Sequence, residues 1–311
     1  MGTAAQARYR NMIFDSGRWD GFRFRDDDIV ISTPPKCGTT WTQMICALLV
    51  FQTTSFDAPL DALSPWVDML IRDRDTMVAE LDAQTHRRFI KSHTPYDGLP
   101  GDRRVTYVCV GRDPRDVALS WDNHMANMDF TAFLTARRNA VGLDDIADLL
   151  AQGPPPRPES EQERFWGWVE GTFEIESATS SLEFTLHHLS TFWERRDDDN
   201  VVLLRYEDLQ ADLEGEMRRL AVRLGINVAE ESWPALVEAA TFDSMRSHAD
   251  MTAPETRDSL WLNNQQFFHR GTCGQWRTVL AGDDAARYRN RVESLPADPD
   301  LVAWVHGGPL G

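Results

Sequence analysis

At 311 residues the chain has room for one large α/β domain or two smaller ones, and its 42% hydrophobic content supports a substantial core. A net charge of −17 argues against sequence-independent nucleic-acid binding or attachment to an anionic membrane, both of which need a basic face. Any anion bound here must be met by Lys and Arg gathered in one cleft, with the acids elsewhere.

Residues 1–25 are polar with interspersed aromatics (Tyr9, Phe14, Trp19, Phe22, Phe24) and are expected to be a peripheral segment that donates a few anchors. They contain no apolar signal-peptide core, and Gln6 stands where myristoylation calls for Ser or Thr. No apolar run approaches bilayer-spanning length, so a cytoplasmic protein without a stable membrane anchor is expected. The apolar run at 28–32 reads as a strand and 41–52 as a helix, with Trp41, Ile45, Leu48 and Leu49 at helical spacing. A loop-rich stretch with Pro59 and Pro65 precedes a helix at 73–84 and a strand at 88–92. The continuous apolar run 104–110 suits a fully buried parallel strand. Asp113 as N-cap and Pro114 as first helical residue then start a helix from 114 to about 127.

Residues 128–165 are the least regular, with a stiff polyproline-type loop at Gly153–Pro158. Further elements are a helix at 178–196, a buried strand at 201–206 and helices at 208–224, 231–239 and 282–294, with a peripheral tail at 296–311. Apolar strands alternating with helices predict a single α/β domain, a parallel sheet covered on both faces. Ligands of such sheets bind beyond the carboxyl ends of the strands, which collects the loops 33–41, 92–96 and 111–115 at one edge.

The chemistry lies in those loops. Ser32-Thr33-Pro34-Pro35-Lys36-Cys37-Gly38-Thr39-Thr40-Trp41 joins a strand to a helix. Gly38 lets the backbone curl, the first N–H groups of the helix face an anion, Lys36 adds charge, and Thr39 and Thr40 add hydroxyls. Taken alone, the stretch is also compatible with an ordinary strand–helix turn. It is not a Walker A loop, because Lys precedes Gly and the first half is Pro-Pro. It resembles the 5′-phosphosulfate loop of the cytosolic sulfotransferase family, Pro-Lys-Ser-Gly-Thr-Thr-Trp, with Cys37 in the place of Ser.

More of the chain matches that family in order. Arg112 and Ser120, eight residues apart, resemble its 3′-phosphate element, and an Arg fork suits a phosphate. Lys91-Ser92-His93 resembles its Lys-Thr-His segment. Its His implies a catalytic base at His93, although a His at a strand end can equally be a structural hydrogen-bonder. Arg205-Tyr206-Glu207-Asp208 resembles a segment whose Tyr206 equivalent touches the cofactor. Thr241, Phe242 and Met245 match the segment that holds adenine. His269-Arg270-Gly271 with Gly274, Trp276 and Arg277 resembles the C-terminal signature, with His269 in place of a basic residue and Gln275 in place of Asp.

The resemblance implies a P-loop-like sheet of five parallel strands and direct in-line transfer of a sulfuryl group from PAPS (3′-phosphoadenosine 5′-phosphosulfate), leaving PAP. His93 would be the base and Lys36 would neutralise the departing phosphate. Lys91 would stabilise the sulfuryl oxygens. Lys36, Cys37, Gly38, Thr39, Thr40, Trp41, Arg112, Ser120, Tyr206, Thr241, Phe242, Met245, His269, Arg270 and Gly271 would bind the donor. No metal is expected. Cysteines 37, 46, 109 and 273 are too widely spaced for a zinc cluster and read as reduced thiols. Cys37, at a helix start beside Lys36, is expected to be acidic, oxidisable and shielded by PAP. The other histidines, His124 among them, carry no such context.

The acceptor should be a small, largely apolar or aromatic molecule bearing a hydroxyl. Its pocket would come from loops 60–80, 125–165 and 245–265, which hold Trp66, Met69, Met125, Met128, Phe130, Phe133, Trp166, Trp168 and Trp261. The family's dimer motif would begin at Arg277, but Ala281-Gly282 replace its Thr-Val, so any homodimer would use another surface. The alternatives are a non-enzymatic nucleotide-binding protein and a P-loop nucleotide kinase.

Overall fold

The computed structural model describes residues 6–153, 156–255 and 258–310. Met1-Gly2 and, within the proline-rich run, Pro154-Pro155 lie outside them. Strands β1 (Ile29–Ser32), β2 (Phe89–Ser92), β3 (Thr106–Gly111) and β4 (Val201–Arg205) form one sheet in the order β2-β1-β3-β4. Every neighbouring pair is parallel, with Ile31 opposite both Lys91 and Val108, and Gly111 opposite Arg205. The chain leaves β1 for β2 on one side and returns to β3 on the other. The carboxyl ends of these three strands therefore stand side by side, at the kind of switch point where ligands of open α/β sheets bind.

Strand alternation sorts the apolar side chains into two cores. Ile29, Ile31, Phe89, Val108, Val110, Val202 and Leu204 face helix α1 (Thr39–Phe51) and the helices Leu213–Arg223 and Trp233–Ala239. Val30, Ile90, Tyr107, Cys109 and Val201 face the helices Pro114–Asn127, Glu161–Glu170 and Leu182–Trp193. Burial on both faces is what near-continuous apolar strands require.

The described residues contain four strands where the resemblance implied five. The edge beside β2 is taken by Pro65–Val67, which makes a single parallel bridge, Trp66 to Lys91. Lys91 N–H donates to Pro65 O (3.0 Å) and Val67 N–H donates back to Lys91 O (3.4 Å), but Pro65 has no N–H with which to extend the ladder toward the start of β2. The region read as irregular holds the helices Phe130–Val141, Ala147–Gln152 and Glu161–Glu170. The segment read as a tail ends in the helix Pro299–His306, whose Leu301 and Val305 are fully buried in the second core. The first residues also reach inward. Tyr9, Phe14 and Trp19 are buried, and a bridge joins Phe14 to Met69.

Candidate active site

The loop after β1 turns back on itself through two left-handed residues, Lys36 (φ 69°) and Gly38 (φ 105°). A Cβ at Gly38 would also lie 3.0 Å from the Tyr206 ring. Helix α1 starts at Thr39 with no side-chain cap, which leaves its first N–H groups pointed at the cleft. Thr33 and Thr39 hydroxyls share a 2.5 Å hydrogen bond that ties the loop's ends together. Trp41 donates from Nε1 to Ala240 O at 2.8 Å, which fixes its ring against Tyr206.

Arg112 leaves the end of β3 and runs beneath this loop. Its guanidinium lies 4.2 Å from the Tyr206 ring centroid, with Nη1 donating to Lys36 O (3.2 Å) and Nη2 to Thr272 O (3.4 Å). Its Nε is buried without a partner. The segment 271–276 is held in place by Asp116, which accepts from Gly274 N–H (2.6 Å) and Trp276 N–H (3.2 Å). Gly271 (φ 63°) presses on Phe242 so closely that a Cβ would stand 2.3 Å from the ring. Ser120, His269, Arg270, Phe242 and Met245 line the same cleft. Asp116, Glu207 and Cys273 bring possible ligand atoms within 4.8 Å of one another behind Arg112, but both carboxylates already accept backbone N–H bonds.

His93 follows β2, buried, with Nδ1 2.7 Å from Thr33 O. A carbonyl can only accept, so Nδ1 carries the hydrogen and Nε2 keeps its lone pair. Burial lowers the imidazole's pKa to about 3, with Lys91 and Lys36 adding to the effect, so the ring is neutral across the physiological range. Trp66 meets it edge-on at 4.6 Å and also lies 4.1 Å from the Lys91 ammonium. Lys36 is lowered to about 7 by burial, then by the charges of Arg112 and Lys91. Its ammonium points over Phe267 (4.3 Å) and toward His124 Nδ1 (3.3 Å). These positive groups crowd one cleft in a strongly acidic protein, an arrangement that an anion would relieve.

The cleft encloses about 1520 Å³ including its mouth. Of the residues expected on the acceptor side, Trp66, Met69, Met128, Phe133 and Trp261 line it. Trp166 and Trp168 instead pack in the second core, while Met125 and Phe130 are exposed. Thr241 does not line the cleft but caps its own helix through Ser244 N–H. Cys37 is fully buried, and burial pushes its thiol up to about 12, contrary to the expected acidic cysteine. Its side chain joins the second core, and it does not line the cleft that its neighbours Lys36 and Gly38 line.

Residues the sequence reading passed over complete the wall. His124 sits one helical turn beyond Ser120, which is a legible signal. Ring contacts with Trp121, Trp261 and Phe267 surround it. Glu255, Gln266 and Ile13 carry no such signal and arrive from distant segments.

The sulfotransferase domain model matches residues 26–298. The chain belongs to the sulfotransferase family. It is 43% identical to proteins named glycolipid sulfotransferase from Mycobacterium bovis and Mycobacterium tuberculosis, over 97% of this chain and 95% of each relative. An amine sulfotransferase from Oryctolagus cuniculus is 26% identical over 86% of this chain and 80% of its own length. Among solved structures, a mouse sulfotransferase complexed with PAP matches with a TM-score of 0.68 at 19% identity, over 94% of this chain and 93% of its own. Retinol dehydratase in complex with androsterone and PAP matches at 0.67 and 20% identity, over 91% and 85%. At such identities the structural likeness speaks to the fold.

Proposed function

We propose that this sulfotransferase uses PAPS and transfers its sulfuryl group in line to a hydroxyl of a small acceptor with a substantial apolar portion. Given the names of the mycobacterial relatives, we take that acceptor to be glycolipid-like. The carrying observation is His93. It is a neutral imidazole whose tautomer is set by Thr33 O, with a free Nε2 beside two ammonium groups and next to an uncapped helix start.

The residues suit a nucleotide with phosphates at both ends. Lys36, Thr39, Thr40 and the N–H groups around Gly38 would hold the 5′ side. Arg112, whose buried Nε lacks a partner, would hold the 3′-phosphate with Ser120, Arg270 and the segment from His269 to Gly271. Trp41, Phe242 and Met245 offer flat or polarisable surfaces to a purine. When bound, PAPS supplies an activated sulfuryl group. His93 takes the acceptor proton on Nε2, and its Nδ1–H donates to Thr33 O throughout, which steadies the imidazolium formed. Lys36 offers its charge on the leaving side, and Lys91 offers its own across the sulfuryl oxygens. This is catalysis by positioning and electrostatics.

Calorimetry with PAP, ATP and adenosine 5′-phosphosulfate tests the donor. PAP should bind tightest of the three, and equal affinities would contradict a site built for the 3′-phosphate. Labelled PAPS with a panel of alkyl glycosides and phenols then identifies the acceptor class.

A further inference from the structure

Among the described residues lining the cleft, Glu255 is the one carboxylate, in a wall otherwise furnished with Lys36, Lys91, Arg112 and Arg270. It is 4% exposed and held at a left-handed φ of 55°, a strained conformation for a residue with a Cβ. Its Oε2 lies 3.2 Å from Arg72 Nη2, and Arg72 is itself braced by Asp61 and Asp258. Its Oε1 lies 3.7 Å from Lys91 Nζ, beyond hydrogen-bond reach. A carboxylate has about four lone-pair sites, and these contacts leave some of them open to the cleft. Glu255 would repel an anionic donor, so it belongs to the acceptor. The Lys91 ammonium beside it disfavours a second cation at the same oxygen. What remains well matched is a set of neutral O–H donors.

We propose that Glu255 reads the acceptor by accepting hydrogen bonds from adjacent hydroxyls of a sugar ring, whose apolar face rests on Trp66 or Trp261, and that it turns away anionic sugars. This deepens the reading of a glycolipid-like acceptor and rests on it. Glu255 meets the acceptor next to Lys91, two residues from His93, so a ring held there can present a further hydroxyl to Nε2.

The test is calorimetric binding to the PAP-loaded protein, which needs no turnover. Three probes share one alkyl chain: hexyl β-glucoside, hexyl β-glucuronide and the hexyl ether of tetrahydropyran, whose ring bears no hydroxyls. Wild type should bind the glucoside about ten- to a hundredfold tighter than either of the others. Glu255→Gln should collapse both ratios toward unity. Glu255→Asp keeps the charge but shortens its reach, so it should lose the preference over the ether and retain that over the glucuronide. Thermal melts with and without PAP report whether each variant folds. Unchanged ratios in Glu255→Gln, or a wild type that binds glucuronide as tightly as glucoside, would overturn the proposal. Failure of PAP to bind wild type would instead defeat the donor reading, and the glucoside affinities, measured without PAP, would still judge Glu255.

Discussion

Lys36 is an ammonium lowered to about 7 by burial and by Arg112 and Lys91, and it is poised to meet an anion. A bound phosphate raises it again. Between the lower value of the free protein and the higher value of the complex, binding must take up a proton, so affinity falls as pH rises through that window. PAP titrations in buffers of different ionisation enthalpy should show uptake approaching about one proton at pH 8 and little at pH 6. Uptake that does not depend on pH would remove Lys36 from the phosphate. Arg112→Ala should weaken PAP far more than adenosine 5′-phosphosulfate, by about 2 kcal/mol for a charge-assisted contact. Equal losses on the two ligands would argue that Arg112 does not meet the 3′-phosphate. Cys37 should react slowly with iodoacetamide whether or not PAP is present, since its thiol is buried and pushed up to about 12. Rapid labelling that PAP blocks would show the loop to be open in solution.

At the scale of elements, β2 matters for how firmly it presents His93. Asp68 is buried beneath the strand end and accepts from Ser92 Oγ (2.6 Å), from Thr94 Oγ1 and from Trp19 Nε1 (3.3 Å). It therefore holds both neighbours of His93. Asp68→Ala should cost about 2–3 kcal/mol in denaturant unfolding and lower kcat more than it changes PAP affinity. Much of this level was legible in the sequence. Three of the four strands are built on continuous apolar runs, β2 adds Phe89-Ile90 before Lys91, and the Asp113 cap with Pro114 marks the start of the Pro114–Asn127 helix. Misjudged stretches had local causes. Asp129 caps the helix Phe130–Val141 through Thr131 and Ala132 N–H, and Phe130, Phe133 and Leu134 follow at helical spacing, a signal set inside an otherwise irregular stretch. Asp212 does the same through Gly215 N–H and splits the expected helix 208–224 in two. Pro65 halts a fifth strand after one bridge. The donor side of the cleft was legible because each of its motifs is contiguous. The acceptor side was legible in part: Trp66, Met69, Met128, Phe133 and Trp261 stand where expected, but His124, Glu255 and Ile13 join them only after folding.

At the scale of the molecule, the sheet is sealed by two cores, and the C-terminal helix is part of the second. Leu301 and Val305 are fully buried, and Trp304 packs so closely on Gly111 that a Cβ there would stand 2.4 Å from its ring. Leu301→Ala should destabilise the protein by about 2–5 kcal/mol in urea unfolding. A smaller loss would mean that the helix is dispensable. Because Gly111 immediately precedes Arg112, this packing also backs the donor side of the cleft. The sheet order sets three strand ends side by side, so a phosphate cradle, an imidazole and an Arg converge from segments far apart in the chain. Such a convergence has one direct test, sulfuryl transfer by His93→Ala with PAP affinity measured on the same preparation. Loss of turnover by about 10²-fold or more, with PAP binding unchanged, is the expected result. Turnover equal to wild type would contradict a base at His93 and with it the proposed chemistry of the cleft.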